Sequence, residues 1–248
     1  IAILGSGAWG TALANLMANN GNHVKIWAIN PSVAEEINEK NTNKDYLPGV
    51  ILSNNITAYE GLKKTLIDTD AIFLVVPSQA VRSVSENIIK EMGKDYKNTI
   101  VICSKGIEEK SFKFMSDIVE EVITNSEIAV LSGPNFAKEV AIGIPTVTTI
   151  ATKEKKVFDK LSKLLDCETF KCYYTDDALC TEICGTMKNI IAIACGMVEG
   201  LEWGKNTLAA LITKGIYEIG EMSTVLGGNT DVLAQPAGLG DLVLTCTS

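Results

Sequence analysis

Two lysines, one aspartate and three glycines are the residues here whose types and settings suit chemistry. Lys188 stands inside the apolar run GTMKNIIAIACG, residues 185–196. If that run is helical, Cys184, Ile191, Ala192 and Cys195 share its face, and no acidic residue on that face is in reach. An ammonium so placed either snorkels to water with its stem on apolar surface, or sits in a pocket that uses its charge and its proton. Lys105, in SKGI (104–107), directly follows a strand-like run, and Asp241 lies in GLGDL (238–242). Reduction of a ketone leaves an alkoxide, which an ammonium first stabilises and then protonates. Partial burial and a second positive charge at Lys105 would lower the pKa of Lys188 toward that task, and Asp241 would oppose the shift. The plain alternatives are a solvated loop lysine at 105 and, at Asp241, a cap for a helix starting near Leu242.

Other chemistries are poorly supplied. There is one histidine, His23, next to the turn Asn20-Gly21-Asn22, and one arginine, Arg82. A triad or proton shuttle built on histidine is therefore not expected. The net charge of −8 and pI near 4.8 argue against nucleic acid as a partner. No apolar run approaches the roughly 18 residues of a membrane span. The seven cysteines (103, 167, 172, 180, 184, 195, 246) show no disulfide framework. Cys180 and Cys184 have helical spacing without a histidine nearby, so no metal site is expected, and free thiols in a reducing cytoplasm fit best.

The elements that must position these residues follow from hydrophobic patterning. Apolar β-rich runs at 1–4, 24–29, 71–76, 99–103, 128–132, 146–151 and 169–174 alternate with helical patterns at 10–19, 32–40, 60–68, 79–92, 111–124 and 153–165. Continuously apolar strands separated by helices imply a sheet covered on both faces, an α/β doubly wound fold. From Tyr174 on, two long helical patterns, 178–200 and 206–225, follow without a strand signal. The expected organisation is an α/β dinucleotide-binding domain at 1–175 and an all-α domain at 176–248. The chain opens on Ile1, already inside an apolar run, and stops at Ser248 without an evident turn, so the helical domain reads as truncated.

GSGAWG (5–10) follows the first strand and opens the first helix, the setting in which G-x-G-x-x-G spacing carries meaning. Gly5 permits the tight turn, Gly7 lets backbone approach a pyrophosphate, and Gly10 lets helix and strand pack closely. The helix N-terminus adds free N–H groups and positive potential. A glycine-rich turn that merely packs is the other reading. At the end of the second strand, after Ile29, stands Asn30, where an acid would bind the ribose 2′-hydroxyl. Asn30 neither fixes that hydroxyl strongly nor repels a 2′-phosphate, so NAD and NADP both stay open.

Three further stretches, SKGI (104–107), LSGPNFAKEVAIGIPT (131–146) and GLGDLVLTCTS (238–248), join GSGAWGTALA, GTMKNIIAIACGMVEGL and NTLAALITKG in family order. Together they closely resemble the bacterial type of NAD(P)-dependent glycerol-3-phosphate dehydrogenase across nearly the whole chain. The resemblance implies a Rossmann-like domain followed by a helical one, in a cytoplasmic homodimer. It implies NAD or NADP as cofactor and interconversion of dihydroxyacetone phosphate and sn-glycerol 3-phosphate for phospholipid synthesis. By motif position, Lys188 resembles the proton-transferring lysine, Lys105 the lysine meeting both substrate and nicotinamide, and Asp241 the substrate-side carboxylate. Gly133 and Asn135 match substrate contacts, with Asn189 and Thr245 as neighbours. Ala8, Trp9, Ile29, Asn30 and Ala137 match cofactor contacts.

The sequence also departs from the family. Ala8 and Asn30 lack side chains often seen there, and the Arg-bearing segment that follows TCTS (245–248) in the family, and grips phosphate, is not part of this sequence. Two other functions compete: a two-domain dehydrogenase of hydroxy acids or sugar acids, and a nucleotide-sensing protein without catalysis.

Overall fold

The computed structural model describes residues 1–248. Eight strands form one sheet: β1 (Ala2–Leu4), β2 (Val24–Trp27), β3 (Ile56–Tyr59), β4 (Ala71–Leu74), β5 (Thr99–Ile102), β6 (Glu127–Ser132), β7 (Thr146–Ala151) and β8 (Phe170–Thr175). Their order is β3-β2-β1-β4-β5-β6-β7-β8. All neighbours pair in parallel except β7, which runs antiparallel to β6 with Leu131 opposite Ile150. The strand order reverses at β1, which places the ligand crevice of such a sheet at the carboxyl ends of its strands.

The apolar runs are continuous because both faces are covered. Ile3, Phe73 and Val101 face one core, shared with α1 (Ala8–Asn19), α2 (Pro31–Lys40) and α7 (Lys155–Leu165). Their neighbours Leu4, Ile72 and Ile100 face the other, with α3 (Leu62–Leu66), α4 (Val81–Met92) and α5 (Met115–Val122). Full burial of a side chain such as Phe73 contributes about 2–3 kcal/mol. A short helix, α6 (Ala137–Ala141), packs on α1, and Asn15 of α1 donates to the Ala141 carbonyl (3.4 Å).

Beyond β8 the chain is helical: α8 (Ala178–Gly200), α9 (Lys205–Leu226) and, after two irregular turns, α10 (Asp241–Cys246). Their shared core holds Ile183, Cys184, Ile191, Cys195, Leu208, Ile219, Leu242 and Cys246. All seven cysteines are free thiols. The α8 helix, 23 residues with a mean hydropathy of 1.3 in its most apolar window, is long and apolar enough to cross a membrane. The sequence expectation concerns apolar runs, whereas this average spans Lys188 and Asn189. Lys188 interrupts the run without lowering the average enough to matter, and one side of the helix is buried in the helical core.

Several boundaries differ from the sequence expectation, for local reasons. Strand β3 carried no signal: in ITAY only Ile56 and Ala58 point inward, and Thr57 is exposed. The helix expected at 111–124 begins at Met115, because residues 107–114 form a tight turn closed by pairing of Ile107 with Phe114, with Phe112 at φ +57°. The second strand stops at Trp27 rather than Ile29, which leaves Ile29 74% exposed at the crevice edge. The first helix begins at Ala8, inside the glycine loop.

Candidate active site

Sterics explain the glycines. Gly5 adopts φ +124°, and a Cβ there would stand 2.2 Å from the Val75 carbonyl oxygen. A Cβ on Gly10 would stand 2.0 Å from the Gly5 carbonyl oxygen. Gly7, at the α1 N-cap, is different: a Cβ there would meet no protein atom within 4 Å. The chain therefore leaves open space directly before a helix N-terminus whose first-turn N–H groups lack intrahelical acceptors. That is the shape and polarity a pyrophosphate requires. Asn43, which sequence reasoning missed, holds the loop still: its amide donates to Ser6 O (2.9 Å) and to Thr11 Oγ1 (2.8 Å).

At the end of β2, Asn30 caps α2. Its Oδ1 accepts from Ser32 N (3.1 Å) and Ser32 Oγ (2.9 Å), which leaves the amide NH₂ as its uncommitted group. No carboxylate occupies this position.

Strands β5 and β6 deliver the next residues to the same edge. Trp9, Cys103, Lys105, Ser132, Gly133 and Asn135 line one cleft of about 230 Å³. Gly133 is closely packed, since a Cβ would approach Thr148 Cα at 3.0 Å and Val147 O at 3.1 Å and the β7 backbone would have to give by a few tenths of an ångström. Asn135 donates to Val147 O (2.8 Å), yet its Oδ1 is buried without a partner, as is Ser132 Oγ. An orphaned amide oxygen and an orphaned hydroxyl in one cleft suit a ligand that brings hydroxyl groups. Ser132 was missed from sequence, although it directly precedes the GPN turn. Burial pushes the Cys103 thiol up to about 12, which keeps it protonated and inert.

The helical layer brings the remaining groups. Pro236–Gly240 forms one wide turn, anchored where Ala237 N–H donates to Thr149 Oγ1 of β7 (3.1 Å). Gly238 is closely packed there: a Cβ would stand 2.5 Å from Val232 O and Leu233 O. Asp241 then opens α10, 2% exposed, and caps nothing. One of its oxygens accepts from Lys188 Nζ (2.5 Å) and the other from Lys105 Nζ. Sequence separations of 53 and 136 residues close into one cluster of two ammoniums and one carboxylate, with a net single positive charge.

Burial first, and the Lys105 ammonium second, push Lys188 down to about 8, while Asp241 pulls it back up. Lys188 can therefore exchange a proton near neutrality, and it has not snorkelled: its side chain is 12% exposed. Gly185, also missed from sequence, makes room for the neighbour. A Cβ there would lie 3.3 Å from Cγ and Cδ of Lys105.

Other expected residues form no hydrogen bond to the two ammoniums or to the Asp241 carboxylate. Asn189 is exposed on α8, and Thr245 spends its hydroxyl proton on the Asp241 carbonyl (2.7 Å). Ala137 opens α6 beyond the cleft turn. Arg82 is held by Glu108 (2.8 Å) and Glu121 (3.3 Å) rather than by the cleft, and His23 is exposed at the entrance to β2.

Comparison with known proteins places the chain in one family. Residues 1–158 match the family model for the NAD-dependent glycerol-3-phosphate dehydrogenase N-terminus, and residues 177–248 match the model for its C-terminus. The chain is 43% identical over 248 residues to the glycerol-3-phosphate dehydrogenase (NAD(P)+) of Erythrobacter litoralis, an alignment covering 100% of this chain and 73% of that protein. It is 40% identical over 251 residues to the protein of the same name in Bacillus cytotoxicus, covering 100% and 73%. The crystal structure of glycerol-3-phosphate dehydrogenase from Coxiella burnetii superposes with a TM-score of 0.94 at 38% identity, covering 100% of this chain and 75% of that one.

Proposed function

This chain belongs to the NAD-dependent glycerol-3-phosphate dehydrogenase family, and on that premise we propose that it reduces dihydroxyacetone phosphate to sn-glycerol 3-phosphate with Lys188 as proton donor. The observation that carries this reading is the cluster in which Lys105 and Lys188 share the two oxygens of Asp241, beside the glycine loop. In this reading residues 1–175 bind the dinucleotide and residues 176–248 complete the substrate side.

The residues present fit a nicotinamide dinucleotide, since Gly5 and Gly10 exclude any Cβ while Gly7 leaves open space. Backbone N–H groups of α1 would hold the pyrophosphate, with Ala8 and Trp9 beside it. Ile29 and Asn30 would face the adenosine end, and Ala137 the cleft side. When bound, the reduced nicotinamide supplies the hydride.

The protein's own groups do the rest. Lys105 attracts the phosphate ester and holds the ketone in the cleft, with Gly133, Asn135, Asn189 and Thr245 around it. The unpaired Asn135 Oδ1 accepts from the substrate hydroxyl, and the unpaired Ser132 hydroxyl donates to it. As negative charge grows on the carbonyl oxygen, the Lys188 ammonium stabilises it and then releases its proton to it. Asp241 holds both ammoniums in place and keeps their repulsion from pushing Lys188 lower still. In the oxidative direction neutral Lys188 is the base.

The same reading carries a homodimer working in the cytoplasm and supplying glycerophospholipid synthesis. Free thiols throughout, and the exposed apolar residues Ile190, Ile193 and Met197 along α8, support it. The test is loss of reduced-nicotinamide absorbance on adding dihydroxyacetone phosphate to the full-length protein, with NADH and NADPH in turn. Turnover that collapses in Lys188→Ala supports the assignment. Tight NADH binding without turnover in the wild type would sink it.

A further inference from the structure

Helix α8 presents two residues whose positions matter only relative to the α/β layer: Gly185, beside the Lys105 stem, and Lys188, facing Asp241. Apolar packing holds such a helix against its neighbours, but the hydrophobic driving force is itself non-directional. A hydrogen bond adds a directional constraint of a few tenths of an ångström and some tens of degrees. Along α8, Glu182 is the one side chain that hydrogen-bonds into residues 1–175. The Thr181 and Thr186 hydroxyls turn back to carbonyls of Asp177 and Glu182, and Lys188 reaches α10.

Glu182 Oε1 accepts from Ser116 N (3.0 Å) and Oε2 from Ser116 Oγ, at the first turn of α5. The carboxylate is 6% exposed and has no cation partner; the charged group facing it is Asp117 of α5. Burial pushes it up to about 7. A buried carboxylate held by neutral donors alone is a costly arrangement, so its presence calls for a role that an apolar residue would not fill.

The location supplies one. Lys105 lies near the start of the segment that links β5 to α5, and Ser116 lies just past its end. Glu182 thus grips the far end of the segment that carries Lys105. Three positions along α8, Gly185 forms the wall past which the Lys105 stem runs. Between Ser104, Lys105, Ser132, Glu182 and Gly185 only a void of about 10 Å³ remains, so α8 lies directly against the segment that carries Lys105.

We propose that Glu182 is a positioning residue: through Ser116 it fixes the register of α8 on the α/β layer, so that Lys188 and Lys105 meet the two oxygens of one Asp241. This rests on the dehydrogenase reading above for its kinetic readout, but not for its structural one.

The experiment compares full-length wild type with Glu182→Gln, Ser116→Ala and Ser116→Thr. Glutamine keeps the shape and one acceptor but turns the other into an NH₂, so the hydrogen bond with the serine hydroxyl must reverse; threonine keeps both donors. The expected result is a kcat reduced on the order of ten- to a hundredfold in Glu182→Gln, less in Ser116→Ala, and near wild type in Ser116→Thr. NADH affinity should stay unchanged, and the Lys188 limb of the pH–rate profile should move from its wild-type position. Unchanged kcat and pH profile, or a lower melting temperature with both unchanged per folded molecule, would overturn the proposal. If Glu182→Gln does not fold, Ser116→Ala decides. If the wild type shows no turnover, the dehydrogenase reading fails, and the titration of Lys188 followed by ¹⁵N NMR decides this one: a midpoint identical in wild type and variants overturns it.

Discussion

The stem of Lys105 passes the α8 backbone at Gly185 so closely that a Cβ on the glycine would lie 3.3 Å from both Cγ and Cδ of the lysine. This glycine is what lets a lysine from the end of β5 thread beneath a helix and reach Asp241. Gly185→Ala would require Lys105 to give by a few tenths of an ångström. The expected outcome is a small change in melting temperature, a clear loss of kcat/KM for dihydroxyacetone phosphate, and unaltered NADH affinity. Equal losses in substrate and cofactor handling would instead mean general disruption of the interface.

Lys188 sets a pH dependence with a definite sign. Its pKa lies near 8, depressed by burial and by Lys105. Ketone reduction needs the ammonium, so its rate should fall as pH rises through about 8. Oxidation of glycerol 3-phosphate needs the neutral amine, and should rise through the same range. Lys188→Ala should remove both limbs and cost on the order of 10²–10⁴ in rate. Initial rates in both directions between mildly acidic and alkaline pH check this.

Asp241 is the one group in the cluster that holds the Lys188 proton on. Asp241→Asn removes that pull while burial and Lys105 remain, so the reduction limb should move below its wild-type position. The variant also leaves two half-buried ammoniums without a counter-charge, which should lower stability by roughly 2–4 kcal/mol. Urea unfolding midpoints and a pH–rate profile measure the two effects separately. A limb displaced upward would contradict the assigned role.

The glycine loop yields a contrast between neighbours. Gly10→Ala drives a Cβ into the Gly5 carbonyl and should destabilise the fold outright. Gly7→Ala adds a methyl where no protein atom lies within 4 Å, at an ordinary φ of −70°. It should leave the melting temperature nearly unchanged yet weaken NADH binding, because the open space there is the cofactor's. Calorimetric unfolding and NADH titration separate the cases. Full NADH affinity in Gly7→Ala would place the pyrophosphate elsewhere.

Asn30 presents only its amide NH₂ to the crevice, its oxygen being taken by Ser32. Asn30→Asp would put a negative charge where a 2′-phosphate would lie and an acceptor where a 2′-hydroxyl would lie. The ratio of kcat/KM for NADH over NADPH should rise about tenfold or more, an electrostatic difference of roughly 1.4 kcal/mol. A ratio unchanged by the substitution would remove Asn30 from the ribose site.

Sequence by itself determined the features governed by local physics. Buried parallel strands must be apolar on both faces, so β1, β4, β5 and β6 stood out as continuous runs. The glycine loop was legible because its spacing answers to steric limits within six residues, and the change to helix after β8 because two long apolar patterns carry no strand between them. The family stretches, in order along the chain, made the dehydrogenase fold expected before any contact was known.

Tertiary structure decided what depends on neighbours brought from elsewhere. Strand β3 has only two inward residues and exists because it pairs with β2 at the sheet edge. The antiparallel turn of β7 leaves no trace in its composition. Glu182, Ser132 and Gly185 gained their meaning only when α8 was laid across the ends of β5 and β6. Above all, no period or spacing joins Lys105, Lys188 and Asp241. Their encounter is electrostatic, and charges separated by up to 136 residues of sequence meet only because packing of three layers removes the water that would otherwise keep them apart.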